Sequence, residues 1–141
     1  MPELNETEIS ALQEALDDEY RAWATYDRVI HDFGPVRPFI NIRDAEARHI
    51  SALQALFARY GLAIPGNSWP GKIESYRSVQ EACAAGVDAE IENDRLYARL
   101  LEATRRPDIL AVFRNLQEAS RERHLPAFRR CVERDGQGRA A

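Results

Sequence analysis

The sequence predicts an all-α protein built from four helices in two antiparallel hairpins. Apolar residues recur at helical spacing in four blocks, and no stretch alternates for long enough to indicate a sheet. The 141 residues are 45% hydrophobic and 30% charged, which is typical of a single compact domain spanning residues 1–141. One connection rich in proline and glycine separates the first two blocks from the last two.

The first two blocks predict helices over about residues 5–32 and 38–60. Asn5 and Glu8 form a capping-box pattern at the start of the first helix. The first helix should end just before Pro35, and the connection that follows is short. The two helices are therefore expected to be antiparallel neighbours.

The last two blocks predict helices over about residues 75–104 and 108–134, joined by a tight turn at Arg105 to Pro107. A helix of about 25 residues is roughly 38 Å long. The loop over about residues 61–74 contains a dozen or so residues, which span roughly 40 Å when extended. We expect this loop to cross the length of the bundle, although the sequence is also compatible with simple up-down-up-down wiring.

Polar residues interrupt the apolar face of each predicted helix. Glu46 and His49 lie three residues apart on the apolar stripe of the second helix, where a carboxylate and an imidazole can bind one metal ion together. The other three helices contribute Glu19, Glu90 and His124, each on an inward face near the middle of its helix. We expect three carboxylates and two imidazoles to converge in one layer.

Such a layer favours iron or manganese, because mixed oxygen and imidazole ligation suits these metals and leaves positions open for oxygen or peroxide. A metal ion would also offset the cost of burying several carboxylates. Structural zinc sites usually involve thiolates, whereas Cys83 and Cys131 lie about two turns from this layer. We expect these two cysteines to be neighbours and to be reduced.

Two segments carry a family resemblance. They are Phe39-Ile40-Asn41-Ile42 followed by Glu46 and His49, and Asn115-Leu116 followed by Ser120, His124, Ala127 and Phe128. With these segments the chain, from Glu19 to Phe128, resembles the ferritin-like superfamily that includes rubrerythrin and bacterioferritin, and within it the uncharacterised family DUF2202. The resemblance implies a ferritin-like four-helix bundle with a crossover loop, and an oxidoreductase of the ferroxidase or peroxidase type. It also implies metal ligands at Glu19, Glu46, His49, Glu90 and His124, with Tyr26 and Tyr97 beside them.

The fourth helix departs from the di-iron pattern. That pattern places a glutamate three residues before the histidine, but the residue here is Arg121, and neither Glu118 nor Glu122 has the right phase. A π-bulge would change the phase, and Pro126 favours one because it leaves the carbonyl of Glu122 without its helical donor. The number of metal ions therefore stays open at the level of sequence.

Charge and hydropathy exclude other classes of partner. The net charge is −4, and the basic residues are spread among acidic ones, so we expect no nucleic-acid partner. No apolar run approaches the roughly 20 residues of a membrane span, and no leader resembles a signal peptide, so we expect a cytoplasmic protein without a membrane partner. The partners we expect are a metal ion, a small oxidant and a second copy of the chain in a homodimer.

Three functions stay open. The leading hypothesis is a protein that binds iron or manganese and reacts it with oxygen or peroxide. Its rival is a metal-free helical bundle that acts as an interaction module, with the inward polar groups paired among themselves and with Arg121. In that case His124 would be a core histidine bonded to Gln117 or Ser120. The third is iron storage by a shell-forming oligomer.

Overall fold

The computed structural model describes residues 3–140, and their side chains as far as residue 134. Within this range the protein is all-helical and contains no strand, which confirms the predicted all-α class. None of the described helices is both long and apolar enough to cross a membrane. The helical elements are α1 (Glu6–Phe33), α2 (Phe39–Arg59), α3 (Val79–Leu100) with a 3₁₀ turn (Leu101–Ala103), α4 (Pro107–Ala119), a π segment (Ser120–His124) and α5 (Leu125–Ala140).

The start of α1 is the predicted capping box. The side chain of Asn5 accepts a hydrogen bond from the Glu8 backbone N–H at 2.8 Å, and Glu8 Oε1 accepts one from the Asn5 backbone N–H at 3.1 Å. This arrangement satisfies donors that a helix N-terminus otherwise leaves without partners. At the other end, Gly34 adopts φ 88°, a backbone conformation that favours glycine, and the helix stops there.

The third and fourth helices differ from the prediction at their boundaries. The third begins at Val79 rather than near residue 75, because Ser78 is its N-cap and accepts a hydrogen bond from the Glu81 backbone N–H at 3.0 Å. The fourth predicted helix begins at Pro107 and consists of α4, the π segment and α5, which follow one another without a break. These three elements together are called the fourth rod. Its helical backbone continues beyond the predicted end near residue 134.

The contacts between helices give their directions. Between α1 and α2, Asp27 pairs with Arg43 and Glu19 contacts His49. The earlier residue on α1 therefore contacts the later residue on α2, as in an antiparallel pair. Between α3 and the fourth rod, Cys83 pairs with Cys131, and Asp94 pairs with Arg121. Each of these two pairs of neighbours is therefore antiparallel.

The helices α1 and α3 are antiparallel as well, since Tyr26 bonds to Glu90 and Glu14 pairs with Arg99. It follows that α2 and α3 run in the same direction. The segment between them must therefore return along the length of the bundle.

This returning segment lies along α1. The Tyr20 hydroxyl donates to the carbonyl oxygen of Pro65 at 2.7 Å, and Trp69 Nε1 donates to Asp17 Oδ1 at 3.0 Å. Further on, Arg28 Nη1 donates to the Ile73 carbonyl oxygen at 3.4 Å. These bonds attach the loop to the same helix that carries Glu19.

The apolar core is divided into two clusters with a polar layer between them. One cluster includes Leu16, Leu53 and Phe113, and the other includes Tyr26, Phe39 and Phe128. On α2, α3 and the fourth rod the predicted polar residues fall between residues of the two clusters, and on α1 Glu19 lies at the edge of the first cluster, next to Tyr20. Water is therefore excluded from the layer on both sides along the bundle axis.

The close approach of α3 and α5 depends on Gly86. A Cβ atom at this position would lie 2.8 Å from ring atoms of Phe128, which is itself fully buried. The ring of Phe128 also packs against those of Tyr26 and Phe39, each at 5.3 Å between centroids. Any larger residue at Gly86 would have to displace this aromatic cluster.

The two cysteines form a disulfide between α3 and α5, so the expectation that they are reduced is wrong. The expectation that they are neighbours is confirmed, because antiparallel pairing brings their Cα atoms to 6.1 Å, within the usual range for a disulfide. Cys83 and Cys131 are both buried in the same cluster as Phe128.

Candidate metal centre

All five predicted ligands converge in the polar layer of the bundle. Four of them, Glu19, Glu46, Glu90 and His124, are at most 4% exposed, and the side chain of His49 is 13% exposed. They form two groups whose ligand atoms lie within 4.8 Å of one another. The first triad is Glu19, Glu46 and His49, and the second triad is Glu46, Glu90 and His124. The two triads share one carboxylate.

In the first triad, His49 Nδ1 faces two carboxylates. It lies 3.2 Å from Glu19 Oε1 on α1 and 3.4 Å from Glu46 Oε2 on its own helix. The spacing of three residues between Glu46 and His49 places both on one face of α2, as the sequence predicts.

The second triad repeats this arrangement with the other oxygen of the shared carboxylate. His124 Nδ1 lies 3.2 Å from Glu90 Oε1 and 3.3 Å from Glu46 Oε1. The rings of His49 and His124 are nearly parallel, with centroids 5.6 Å apart and an interplanar angle of 19°. Glu46 therefore presents one oxygen to each imidazole.

His124 is the last residue of the π segment, and its side chain is buried. The backbone N–H of Leu125 donates to the Ser120 carbonyl oxygen, which is the wider hydrogen-bonding pattern of a π turn. Pro126 has no backbone N–H, so the carbonyl of Glu122 lacks the donor that an α-helix would supply. This confirms the π-bulge that the sequence favoured.

Arg121 does not enter the site. Its side chain is 55% exposed, and its guanidinium pairs with Asp94 at 2.9 Å on the surface. The prediction that Arg121 neutralises the inward carboxylates in a metal-free bundle is therefore wrong. Glu118 and Glu122 are also exposed. No carboxylate from α4 or the π segment reaches the triads.

The alternative partners proposed for His124 are engaged elsewhere. The Ser120 hydroxyl is buried and donates to the carbonyl oxygen of Glu90 at 2.9 Å. Gln117 Nε2 donates to the carbonyl oxygen of Asp94 at 3.2 Å. His124 therefore faces only the carboxylates of the second triad among the described groups that could bond it.

Three further residues support the ligands. The Tyr26 hydroxyl donates to Glu90 Oε2 at 2.6 Å, which agrees with the position beside the ligands that the ferritin-like resemblance implied. Asn93 Nδ2 donates to Asp18 Oδ2 at 2.6 Å and to Glu19 Oε2 at 3.3 Å. Neither Asn93 nor Asp18 was predicted from the sequence. The usable signal was that Asn93 lies three residues after Glu90, the spacing that joins Glu46 to His49.

Tyr97, the second tyrosine that the resemblance placed beside the ligands, is fully buried in the other apolar cluster. Its hydroxyl has no hydrogen-bond partner among the described residues. Burial, followed by the charge of Glu19, raises its pKa well above the ordinary value of 10.0. The hydroxyl therefore stays protonated and can donate a hydrogen bond.

The carboxylates of the first triad have divergent pKa values. Burial and the neighbouring charge of Glu46 raise the pKa of Glu19 to about 8. Burial also acts to raise the pKa of Glu46, but its contacts with His124 and His49 outweigh this effect and lower the pKa to about 2. The shared carboxylate is thus ionised in the metal-free protein at neutral pH.

Both imidazoles are protonated in the metal-free protein. Burial lowers the pKa of His49, but contacts with Glu19 and Glu46 outweigh it and raise the value to about 10. The same balance, with Glu46 and Glu90 as the carboxylates, raises the pKa of His124 to about 9. A metal ion that binds these nitrogens must therefore displace protons.

The donor set fits iron or manganese. It combines carboxylate oxygens and imidazole nitrogens, and the disulfide-bonded cysteines supply no thiolate. Glu46 Oε2 is buried and accepts no hydrogen bond from any described group, although His49 Nδ1 lies 3.4 Å away. A buried carboxylate oxygen without a donor is the kind of atom that a cation satisfies.

No family model and no curated protein matches the chain. A crystal structure of a hypothetical protein from Methanococcus jannaschii DSM 2661 is similar to it, with a TM-score of 0.85 at 22% sequence identity. The similarity covers 96% of this chain and 85% of that one. At this level of identity the likeness shows the helical fold alone.

Proposed function

We propose that the protein is a ferritin-like metalloprotein that holds two ions of iron or manganese, one in each triad. The observation that carries this proposal is the position of Glu46, whose two oxygens face different imidazoles. A carboxylate in this position can bridge two ions, as in carboxylate-bridged helical bundles. A layer with three buried carboxylates also needs positive charge nearby, because a buried charge without a partner is costly.

The arrangement of the helices supports a ferritin-like bundle. Antiparallel pairing of α1 with α2 and of α3 with the fourth rod corresponds to two hairpins, and the loop along α1 corresponds to the crossover. The hypothetical protein from Methanococcus jannaschii shares the overall fold. The function is therefore inferred from the triads.

The side chains around such a site would have different roles. Tyr26 would fix the orientation of Glu90, and Asn93 would fix that of Glu19, through the hydrogen bonds described above. Because no carboxylate comes from the fourth rod, each ion would have three protein side chains, which leaves room for small ligands. Iron or manganese would supply redox chemistry with oxygen or peroxide. The function is accordingly an oxidoreductase of the ferroxidase or peroxidase type.

Metal titration tests this proposal. Protein stripped with a chelator and titrated anaerobically with Fe²⁺ or Mn²⁺ should take up two ions per chain by elemental analysis. For each ion bound, metal at about 100 times its Kd should add about 2.7 kcal/mol to the free energy of unfolding. The Glu46→Ala variant should bind none, whereas Glu118→Ala, which removes an exposed carboxylate, should bind as the parent does. Failure of the parent protein to bind either metal would overturn the proposal.

The second candidate is a metal-free helical bundle that acts as an interaction module. The protonated His49 and His124 favour it, since they compensate the buried carboxylates without a metal. The surface does not favour it, because Ile64 is the exposed large hydrophobic residue among the described side chains. If the Glu46→Ala, His49→Ala double variant kept full thermal stability in metal-replete buffer, this candidate would replace the first.

The oligomeric state distinguishes the proposed homodimer from a protein that stores iron. A homodimer is the assembly we propose, and storage of iron would require a much larger shell-forming oligomer. Gel filtration with light scattering separates the two by mass. A shell would support storage and contradict the dimer.

A further inference from the structure

A cavity opens between α1 and α3 beside the two triads. It encloses about 280 Å³, and the lining residues that matter here are Asp18, Arg21, Tyr26, Asp88, Glu92 and Asn93. Glu90, a member of the second triad, also lines it. The cavity therefore reaches a residue of the candidate metal centre from the side of the bundle.

Two other side chains that line the cavity are hydrogen-bonded to carboxylates of the triads. Tyr26 lies on one side with its hydroxyl on Glu90 Oε2, and Asn93 lies on the other with its amide nitrogen 3.3 Å from Glu19 Oε2. The same amide nitrogen holds Asp18 Oδ2 at 2.6 Å. One amide group thus connects a carboxylate of the cavity to a carboxylate of the first triad.

The charge of the cavity is mostly negative. Four carboxylates line it, those of Asp18, Asp88, Glu90 and Glu92, against one guanidinium, that of Arg21. The guanidinium lies over the ring of Trp69, 5.2 Å from its centroid. A cleft lined by one sign of charge concentrates ions of the opposite sign.

The carboxylates also become progressively more buried toward the site. Asp88 and Glu92 are exposed, Asp18 is half-buried, and Glu90 is 3% exposed. A cation that follows this series loses its water gradually and meets a new carboxylate at each step. This lowers the cost of moving a charge from solvent into the layer.

We propose that this cavity is the entry route for a divalent cation, and that Asp18 is the carboxylate that holds the cation before it passes to Glu19. The proposal rests on the metal site proposed above. The cation at Asp18 displaces the amide of Asn93 from Asp18 and Glu19, and both carboxylates are then free to receive it. Tyr26 keeps Glu90 oriented meanwhile.

The rate of metal uptake tests this route separately from metal binding itself. We would mix metal-free protein with Co²⁺ in a stopped-flow instrument, because the visible absorption of Co²⁺ changes when imidazole and carboxylate replace its water. Asp18→Asn should lower the second-order rate about tenfold at low ionic strength, with the final stoichiometry unchanged. The rate of the parent protein should fall as salt is added.

Control variants make each outcome decisive. Glu118→Gln removes one exposed carboxylate outside the cavity and should leave the rate unchanged. The double variant Asp88→Asn, Glu92→Gln changes only exposed residues, so it should fold normally and should also slow uptake. If the parent binds two ions and both cavity variants bind as fast as the parent, the entry route is wrong. If the parent takes up neither Co²⁺ nor the Fe²⁺ or Mn²⁺ of the earlier titration, the proposed metal site itself fails.

Discussion

Glu46 Oε1 on α2 lies 3.3 Å from Nδ1 of His124 on the π segment. The other oxygen of the same carboxylate lies 3.4 Å from His49, one turn along its own helix. The two triads can therefore be disturbed one at a time through their histidines, or together through Glu46.

Single histidine variants should halve the metal content. His124→Ala removes the nitrogen of the second triad and should reduce the uptake of Fe²⁺ or Mn²⁺ from two ions per chain to one, because Glu19, Glu46 and His49 are left intact. His49→Ala should give the same count through the opposite triad. Elemental analysis of the loaded proteins measures this. Loss of both ions in either variant would show that the triads do not fill independently.

Arg121 should be dispensable for metal binding. Its pair with Asp94 lies on the surface, where such pairs contribute at most about 1 kcal/mol. Arg121→Gln should therefore change the metal Kd by less than about twofold and leave the stoichiometry at two. Calorimetric titration measures both values. A large fall in affinity would instead place the guanidinium in contact with the site.

Gly86→Ala should destabilise the protein by up to about 2 kcal/mol, which is an overpacking cost of about 1 to 3 kcal/mol less a helix-propensity gain of about 1 kcal/mol. The added methyl group would meet the ring of Phe128 at 2.8 Å. Chemical denaturation measures the change. The double variant Gly86→Ala, Phe128→Leu should be less destabilised than the sum of its single changes, and simple additivity would argue against a direct clash.

The disulfide should contribute about 4 kcal/mol to stability, as the chain-entropy relation gives for a sequence separation of 48 residues. Denaturation with and without a reductant measures this contribution. The double variant Cys83→Ser, Cys131→Ser should lose a similar amount and should no longer respond to the reductant. Equal stability of the parent in both buffers would contradict the prediction.

Glu8 should make the protein sensitive to acid. Burial acts to raise its pKa, but hydrogen bonds from Thr104, Asn5 and Arg106 outweigh that and lower it below the ordinary value of 4.5. A lowered pKa in the folded state adds stability above pH 4.5, and this stability is lost as the pH falls through the folded-state value.

Glu8→Gln should therefore lower the free energy of unfolding at pH 7 by about 1.5 to 3 kcal/mol, the range for hydrogen bonds to charged groups. The difference from the parent should shrink as the pH falls below 4.5. Urea denaturation at a series of pH values measures it. Glu6→Gln, at an exposed first-turn carboxylate, is the matched control and should show little change.

The helices and the five converging side chains could both be predicted from the helical spacing of apolar residues. Apolar periodicity defines the inward face of a helix, and a charged residue that falls on that face must lie in the core. Glu19 and Glu90 were identified in this way, without any local motif. The capping box at Asn5 is a local pattern that needs no tertiary information.

The features that escaped prediction depend on contacts between helices. Asp18 lies beside the inward face and was not distinguishable from an ordinary surface residue until Asn93 on α3 was placed against it. The disulfide depends on how closely α5 approaches α3, and Gly86 determines that approach. The start of the third helix was misplaced because apolar spacing extends before Ser78, which caps the helix through its side chain.

The π turn at Ser120–His124 ends on a buried histidine that has no glutamate three positions before it. Proteins with the same arrangement will escape any pattern search that demands Glu-x-x-His twice. A search for one such motif, together with a histidine two residues before a proline on a later helix, would retrieve them. The proline in that pattern marks the widened backbone turn, which a search on ligand residues alone does not record.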